Sequence, residues 1–88
     1  MQEVAAVDDL LRRVEEIVFA CIGDKELLED PNYLDVDFFE EYCLDMGAGI
    51  EILMRIRDGL GIVIQPSQIE RGEMNTIRKL WELAKRCQ

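Results

Sequence analysis

The sequence predicts an all-α fold of four helices: a long first helix, a long loop, a second helix, a short third helix and a last helix. Three observations carry that expectation. Apolar residues recur at steps of three and four from residue 4 to 21, again from 50 to 60, and again from 77 onward. Gly23, Pro31, Gly61 and Pro66 fall between those stretches, where a helix must stop. Residues able to cap a helix start, Asp45 and Asn75 or Thr76, stand just before the second and last stretches. A chain of 88 residues has the size of one domain, taken as 1–88.

In the first helix Val4, Val7, Leu10, Leu11, Val14, Ile17, Val18 and Cys21 share one face. Asp8, Asp9, Arg12, Arg13, Glu15 and Glu16 occupy the other, giving an amphipathic helix of about five turns that ends near Gly23. Residues 24–44 lose this period. Pro31 breaks any helix there, and Asp30, Asn32, Asp35 and Asp37 supply turn chemistry. Phe38 and Phe39 are expected to turn aromatic surface into the core.

Asp45 starts the second helix, which runs to about Leu60 and stops at Gly61. Its buried arc is expected to be Ile50, Ile52, Leu53, Ile56 and Leu60. Gly47, Glu51, Met54 and Asp58 form a separate, mostly exposed stripe. Gly47 and Gly49 cost about 1 kcal/mol each relative to alanine, so they need a reason such as close approach of a partner or ligand. Gly61 to Pro66 reads as an extended apolar loop, and Ser67 to Arg71 as one short helical turn that Ser67 caps. The last helix places Ile77, Leu80, Trp81, Ala84 and Cys87 on one face, with Lys79, Lys85 and Arg86 towards its C-terminus, where positive charge suits the helix dipole.

Composition narrows function. The net charge is −9, and residues 1–45 hold 14 acidic and 3 basic side chains against 5 and 7 in residues 46–88. Such a chain repels nucleic acid and anionic membranes and favours basic protein partners. No apolar run approaches the ~20 residues that span a bilayer, and the N-terminus shows no signal-peptide pattern. Cys21, Cys43 and Cys87 are odd in number and lack metal-ligand spacing, which suits reduced thiols in a cytoplasmic protein. Asp30, Asn32 and Glu41 match three positions of a calcium-binding loop, but Leu34 and Asp35 stand where a ligand and a glycine are needed. There is no histidine, no glycine-rich phosphate loop and no nucleophile with a base, so the chain does not read as an enzyme.

Four motifs resemble the acyl carrier protein family. Asp35-Val36-Asp37-Phe38-Phe39-Glu40-Glu41 is similar to the acidic-aromatic approach to the family's attachment site, and Leu44-Asp45 to the pair before it. Ile50-Glu51-Ile52-Leu53-Met54 resembles the apolar core of the family's second helix, and Gly61-Ile62-Val63-Ile64 the loop after it. Residues Ser67 to Thr76 align without gaps to the pattern of D-alanyl and other aminoacyl carrier proteins. The resemblance covers about residues 35–84, with the first helix matching only in pattern. It implies a four-helix carrier fold and a serine bearing 4′-phosphopantetheine directly after Asp45. Met46 stands there, a thioether without a nucleophilic oxygen. The only side chains with an aliphatic hydroxyl are Ser67 and Thr76, both beyond the second helix.

The resemblance therefore implies a monomeric interaction module that carries no cofactor. It would dock on an acyl- or aminoacyl-transferring or adenylating enzyme through Asp45, Met46, Gly47, Glu51, Met54, Arg57 and Asp58. Methionine adapts well at binding surfaces, although Met46 and Met54 would serve equally as partly buried core residues. The alternative is a working acyl or aminoacyl carrier whose attachment position is altered in this chain. Tyr42 replaces a glycine common before the site and would crowd an approaching transferase, and Arg55 and Arg57 neutralise the stripe that carriers usually keep acidic. Ile50, Met54, Ile62, Ile64, Ile69, Ile77, Leu80 and Trp81 are the side chains that would line an acyl pocket, or else form a packed core.

Overall fold

The computed structural model describes residues 2–23 and 25–88, with side chains for residues 9–23 and 25–88. The described residues form helices and turns without strands. Helix α1 spans Gln2–Ile22 and ends at Gly23, whose φ of 78° lets its N–H reach the Phe19 carbonyl at 2.7 Å. Leu10, Val14 and Val18 are buried as the period requires, with Leu11, Ile17 and Cys21 packed at the margin. The side chains of Val4, Val7 and Asp8 lie outside the described residues. Phe19, which the period left off this face, is buried too, on a flank that shares a groove with Leu28 of the loop.

The long loop is more regular than expected. It contains two 3₁₀ turns, Glu26–Glu29 and Tyr33–Asp35, and a one-turn helix α2, Phe38–Glu41. Segments of three or four residues are too short to display a helical period, so pattern reading passes over them. Asp37 caps α2, its Oδ1 accepting from the Glu40 N–H at 3.0 Å. Its Oδ2 accepts from Asn75 Nδ2 at 2.7 Å, while the Phe38 N–H donates to the Asn75 carbonyl at 3.0 Å. Arg78 adds an ion pair to Asp35 at 2.8 Å. These bonds pin the loop to the chain that enters the last helix, and they drive Phe38 fully into the core beside a half-buried Phe39. Asp30 Oδ1 accepts from the Asn32 N–H at 2.8 Å, a local turn. Among the described residues no three histidine, cysteine or acidic side chains converge as metal ligands.

Helix α3 spans Met46–Leu60, and Asp45 caps it by accepting from the Ala48 N–H at 2.9 Å. Gly61, at φ 70°, ends it by donating to the Arg57 carbonyl. Ile52, Leu53 and Ile56 are buried and Leu60 half-buried, but Ile50 is exposed, contrary to the expected arc. Ile50 lies roughly 100° around the helix from the centre of the buried set, at the edge of what the other elements cover. In the following loop Ile62 and Ile64 point inward and Val63 outward.

Helix α4 is the single turn Ser67–Glu70. Ser67 is not its cap: Pro66 already has helical angles, φ −58° and ψ −24°, so the turn starts one residue earlier and Ser67 lies inside it, exposed. Helix α5 spans Ile77–Cys87, and the cap is Thr76, whose hydroxyl accepts from the Lys79 N–H at 3.1 Å. Ile77, Leu80, Leu83 and Ala84 are buried, with Trp81 half-buried beneath Lys85 Nζ. Cys87, expected on that face, is exposed because it sits in the last turn, past the end of the core. Helix α1 packs on both α3 and α5. No described helix is long and apolar enough to cross a membrane.

Candidate functional site

At the start of α3 a helix capped by Asp45 meets exposed apolar side chains. Met46, in the first turn, is 41 % exposed and Met54 is 49 % exposed, so both methionines face outward. The two glycines there differ. A methyl group at Gly47 would meet only the Asp45 carboxylate at an ordinary 3.4 Å. One at Gly49 would lie 2.9 Å from Ile69 Cδ1 and 3.2 Å from the Phe39 ring. The close approach that Gly49 permits is therefore made within the chain, by Phe39 and Ile69 closing over the helix.

Asp45, Met46, Gly47, Glu51, Met54, Arg57 and Asp58, the residues expected to dock, are each exposed, and their charges do not form one stripe. Glu51 turns towards α1: its Oε2 accepts from Cys21 Sγ at 3.5 Å and from Arg55 Nε at 3.3 Å. Burial pushes the Cys21 thiol up to about 11, with Arg55 opposing the rise and the Glu51 carboxylate adding to it. Arg57 pairs with Asp58 at 3.3 Å. Tyr42 does not stand out over the site. It is half-buried against the core with an ordinary φ of −109°, and the left-handed residue of this turn is Cys43, at φ 54°.

The eight side chains expected to line an acyl pocket are not gathered in one cavity. Ile62, Ile64, Ile77 and Leu80 are packed into the core, Ile69 and Trp81 lie half-buried at its edge, and Ile50 and Met54 are exposed. Instead a shallow groove of about 220 Å³ runs between α3 and the 61–66 loop. Of the eight it brings together only Ile50, Met54 and Ile64, joined by Leu53, Val63, Pro66, Gln65 and Arg57. The spacing 46, 50, 54 could have revealed Ile50 as part of the outer face. Nothing local in the sequence announced Val63.

This chain is similar to known proteins along most of its length. It is 31 % identical over 68 residues to the D-alanyl carrier protein of Lactococcus lactis subsp. cremoris (strain MG1363), covering 77 % of this chain and 82 % of the relative. It is 30 % identical over 80 residues to the D-alanyl carrier protein of Latilactobacillus sakei subsp. sakei (strain 23K), covering 91 % and 99 %. To that of Leuconostoc mesenteroides subsp. mesenteroides it is 32 % identical over 72 residues, covering 82 % and 87 %. The chain belongs to the D-alanyl carrier protein family. No protein-family model matches it, and no solved structure does. A member of a carrier family is not itself an enzyme, in keeping with the absence of a catalytic constellation in the sequence.

Family membership raises the question of 4′-phosphopantetheine, the group implied by the carrier motifs. Attachment needs an oxygen at the exposed helix start, and Met46 presents a thioether and a methyl group instead. The Thr76 hydroxyl is buried and occupied as a cap, and Ser67 sits on α4 rather than at the start of α3. The donor chemistry at position 46 does not fit the group.

Proposed function

We propose that the chain is a carrier-fold interaction module that bears no 4′-phosphopantetheine and docks on a biosynthetic enzyme through the start of α3. The observation that supports this reading is Met46: the carrier scaffold and its Asp45 cap are intact, and the residue presented at the exposed first turn cannot be loaded. The natural partners are enzymes that adenylate acids or transfer acyl or aminoacyl groups, because these meet carriers at this end. The module acts as a monomer in the cytoplasm, where Cys21, Cys43 and Cys87 remain thiols.

Intact mass after incubation with coenzyme A and a broad-specificity phosphopantetheinyl transferase tests the reading, on the wild-type chain and Met46→Ser together. The expected result is mass gain by Met46→Ser alone. Gain by the wild-type chain would overturn the armless reading in favour of a working carrier modified elsewhere. Gain by neither would confine the carrier analogy to the fold.

A further inference from the structure

The cations of this acidic chain are unevenly placed. Residues 71–86 hold five basic and two acidic side chains, whereas the rest of the chain holds five and 17. They surround a recess of about 530 Å³ beside α5, lined by Glu73, Lys79, Glu82, Lys85 and Arg86. Lys79, Glu82 and Arg86 share one face of α5 at steps of three and four. The two ends of that face, Lys79 and Arg86, are about 10 Å apart along the helix axis.

These cations are held differently from the others. Arg13, Arg55, Arg57 and Arg78 each have a carboxylate at 3.3 Å or closer. Around the recess a single carboxylate, Glu73, serves both Arg71 at 3.9 Å and Arg86 at 4.0 Å. Lys79 Nζ donates to the Gly72 carbonyl at 3.4 Å, and Lys85 Nζ lies over the Trp81 ring at 4.2 Å. Helix stability accounts for Lys85 and Arg86 in the last turn, but not for Lys79 in the first, where a positive charge opposes the helix dipole.

Charge selects the occupant. At physiological salt, charges act over about 8 Å, so a group entering the recess meets its local excess of cations and not the −9 of the whole chain. A second copy would bring another −9 and is repelled. A compact phosphate would lie among two carboxylates, Glu73 and Glu82. An extended segment with acidic residues at alternate positions presents a carboxylate about every 7 Å on one side. Its carboxylates can therefore meet Lys79, Lys85 and Arg86 separately and avoid Glu73 and Glu82.

We propose that the recess beside α5 receives an extended acidic segment of a partner protein. The carboxylates of that segment pair with Lys79, Lys85 and Arg86, and Arg71 extends the surface past Glu73. This goes beyond the docking reading above and does not depend on it, because no residue of α3 lines the recess.

The test is an NMR titration of the isotope-labelled chain with an extended peptide of about eight residues that alternates glutamate and serine. Its lysine-for-glutamate counterpart and inorganic phosphate are titrated in parallel. The net charge alone favours the lysine peptide, so the expected result opposes it: the glutamate peptide should shift the amides of residues 71–73 and 78–87. Lys79→Gln combined with Arg86→Gln should weaken that binding by about tenfold or more. Arg12→Gln combined with Arg13→Gln, at cations held by Asp9, should leave it unchanged. All four positions are exposed, so both double variants should keep the native amide dispersion. Raising the salt from about 0.05 to 0.3 M should release the peptide. No binding of the glutamate peptide, shifts centred on α1, or unchanged affinity in the Lys79 and Arg86 variant would each overturn the proposal. Phosphate binding at the same amides as tightly as the peptide would also overturn it, in favour of a simple anion site.

Discussion

Ile50 and Ile52 stand two residues apart on one helix with opposite fates: Ile52 is fully buried and Ile50 is 39 % exposed. The inner face of α3, Ile52, Leu53 and Ile56, joins α1 and the loop residues in one core. The outer face, Met46, Ile50 and Met54, is as apolar in composition and is left in contact with solvent. Burial on the first face stabilises the fold. Exposure on the second forgoes that gain, which makes the stripe a candidate contact surface and not part of the core.

The sharpest way to break this comparison is to truncate both isoleucines. Ile52→Ala should cost about 2–5 kcal/mol in urea unfolding, whereas Ile50→Ala should stay within about 0.5 kcal/mol. Equal costs would mean that the two faces are not distinct. A smaller effect is expected where α2 is tied down: Asn75→Ala removes the hydrogen bond to Asp37 and should cost about 1 kcal/mol. The amides of Glu40 and Glu41 should then exchange faster with solvent.

The two glycines of α3 sharpen the comparison further. Gly47→Ala places its methyl group in ordinary contact with the Asp45 carboxylate at 3.4 Å and should stabilise by up to about 1 kcal/mol. Gly49→Ala should not show that gain, since Phe39 and Ile69 must give way to the new methyl group. Thermal melts of the two variants side by side decide the point, and equal gains would remove the intrachain reason for Gly49.

The mildest test concerns the tie between α1 and the loop that supports α3. The Tyr33 hydroxyl is held by the Glu15 carboxylate, which with partial burial pushes it from 10.0 up to about 12. A raised phenol contributes stability that is fully present below pH 10 and is lost as pH rises through about 12. Melting temperatures across that window should fall for the wild-type chain and fall less for Tyr33→Phe, while the ultraviolet signal of tyrosinate reports the midpoint directly.

Much of this was legible in advance. Asp45, Gly23 and Gly61 mark helix ends through local chemistry, and the structure uses all three as such. The periods of α1 and α5 placed Leu10, Val14, Val18, Ile77, Leu80 and Ala84 correctly in the core. The failures have particular causes. Ile50 and Cys87 follow the apolar pattern, but one lies beyond the edge of the packing surface and the other beyond its end. Ser67 lost its capping role because Pro66 was already helical. The turn helix α2 was invisible because its stability comes from the core around Phe38 and from Asn75, 38 residues along the chain from its partner Asp37.

The sequence by itself determined the order of the three longer helices, the end of α1, both ends of α3 and the identity of Met46 at the start of α3, because these rest on interactions within a few residues along the chain. It also carried the family, through motifs in order along the chain. Only the tertiary structure decided which apolar residues remain outside, why Gly49 must be small, and that Asn75 ties α2 to the entry of the last helix. Those outcomes depend on which elements arrive to cover a given face, and arrival is set by the packing of the whole chain.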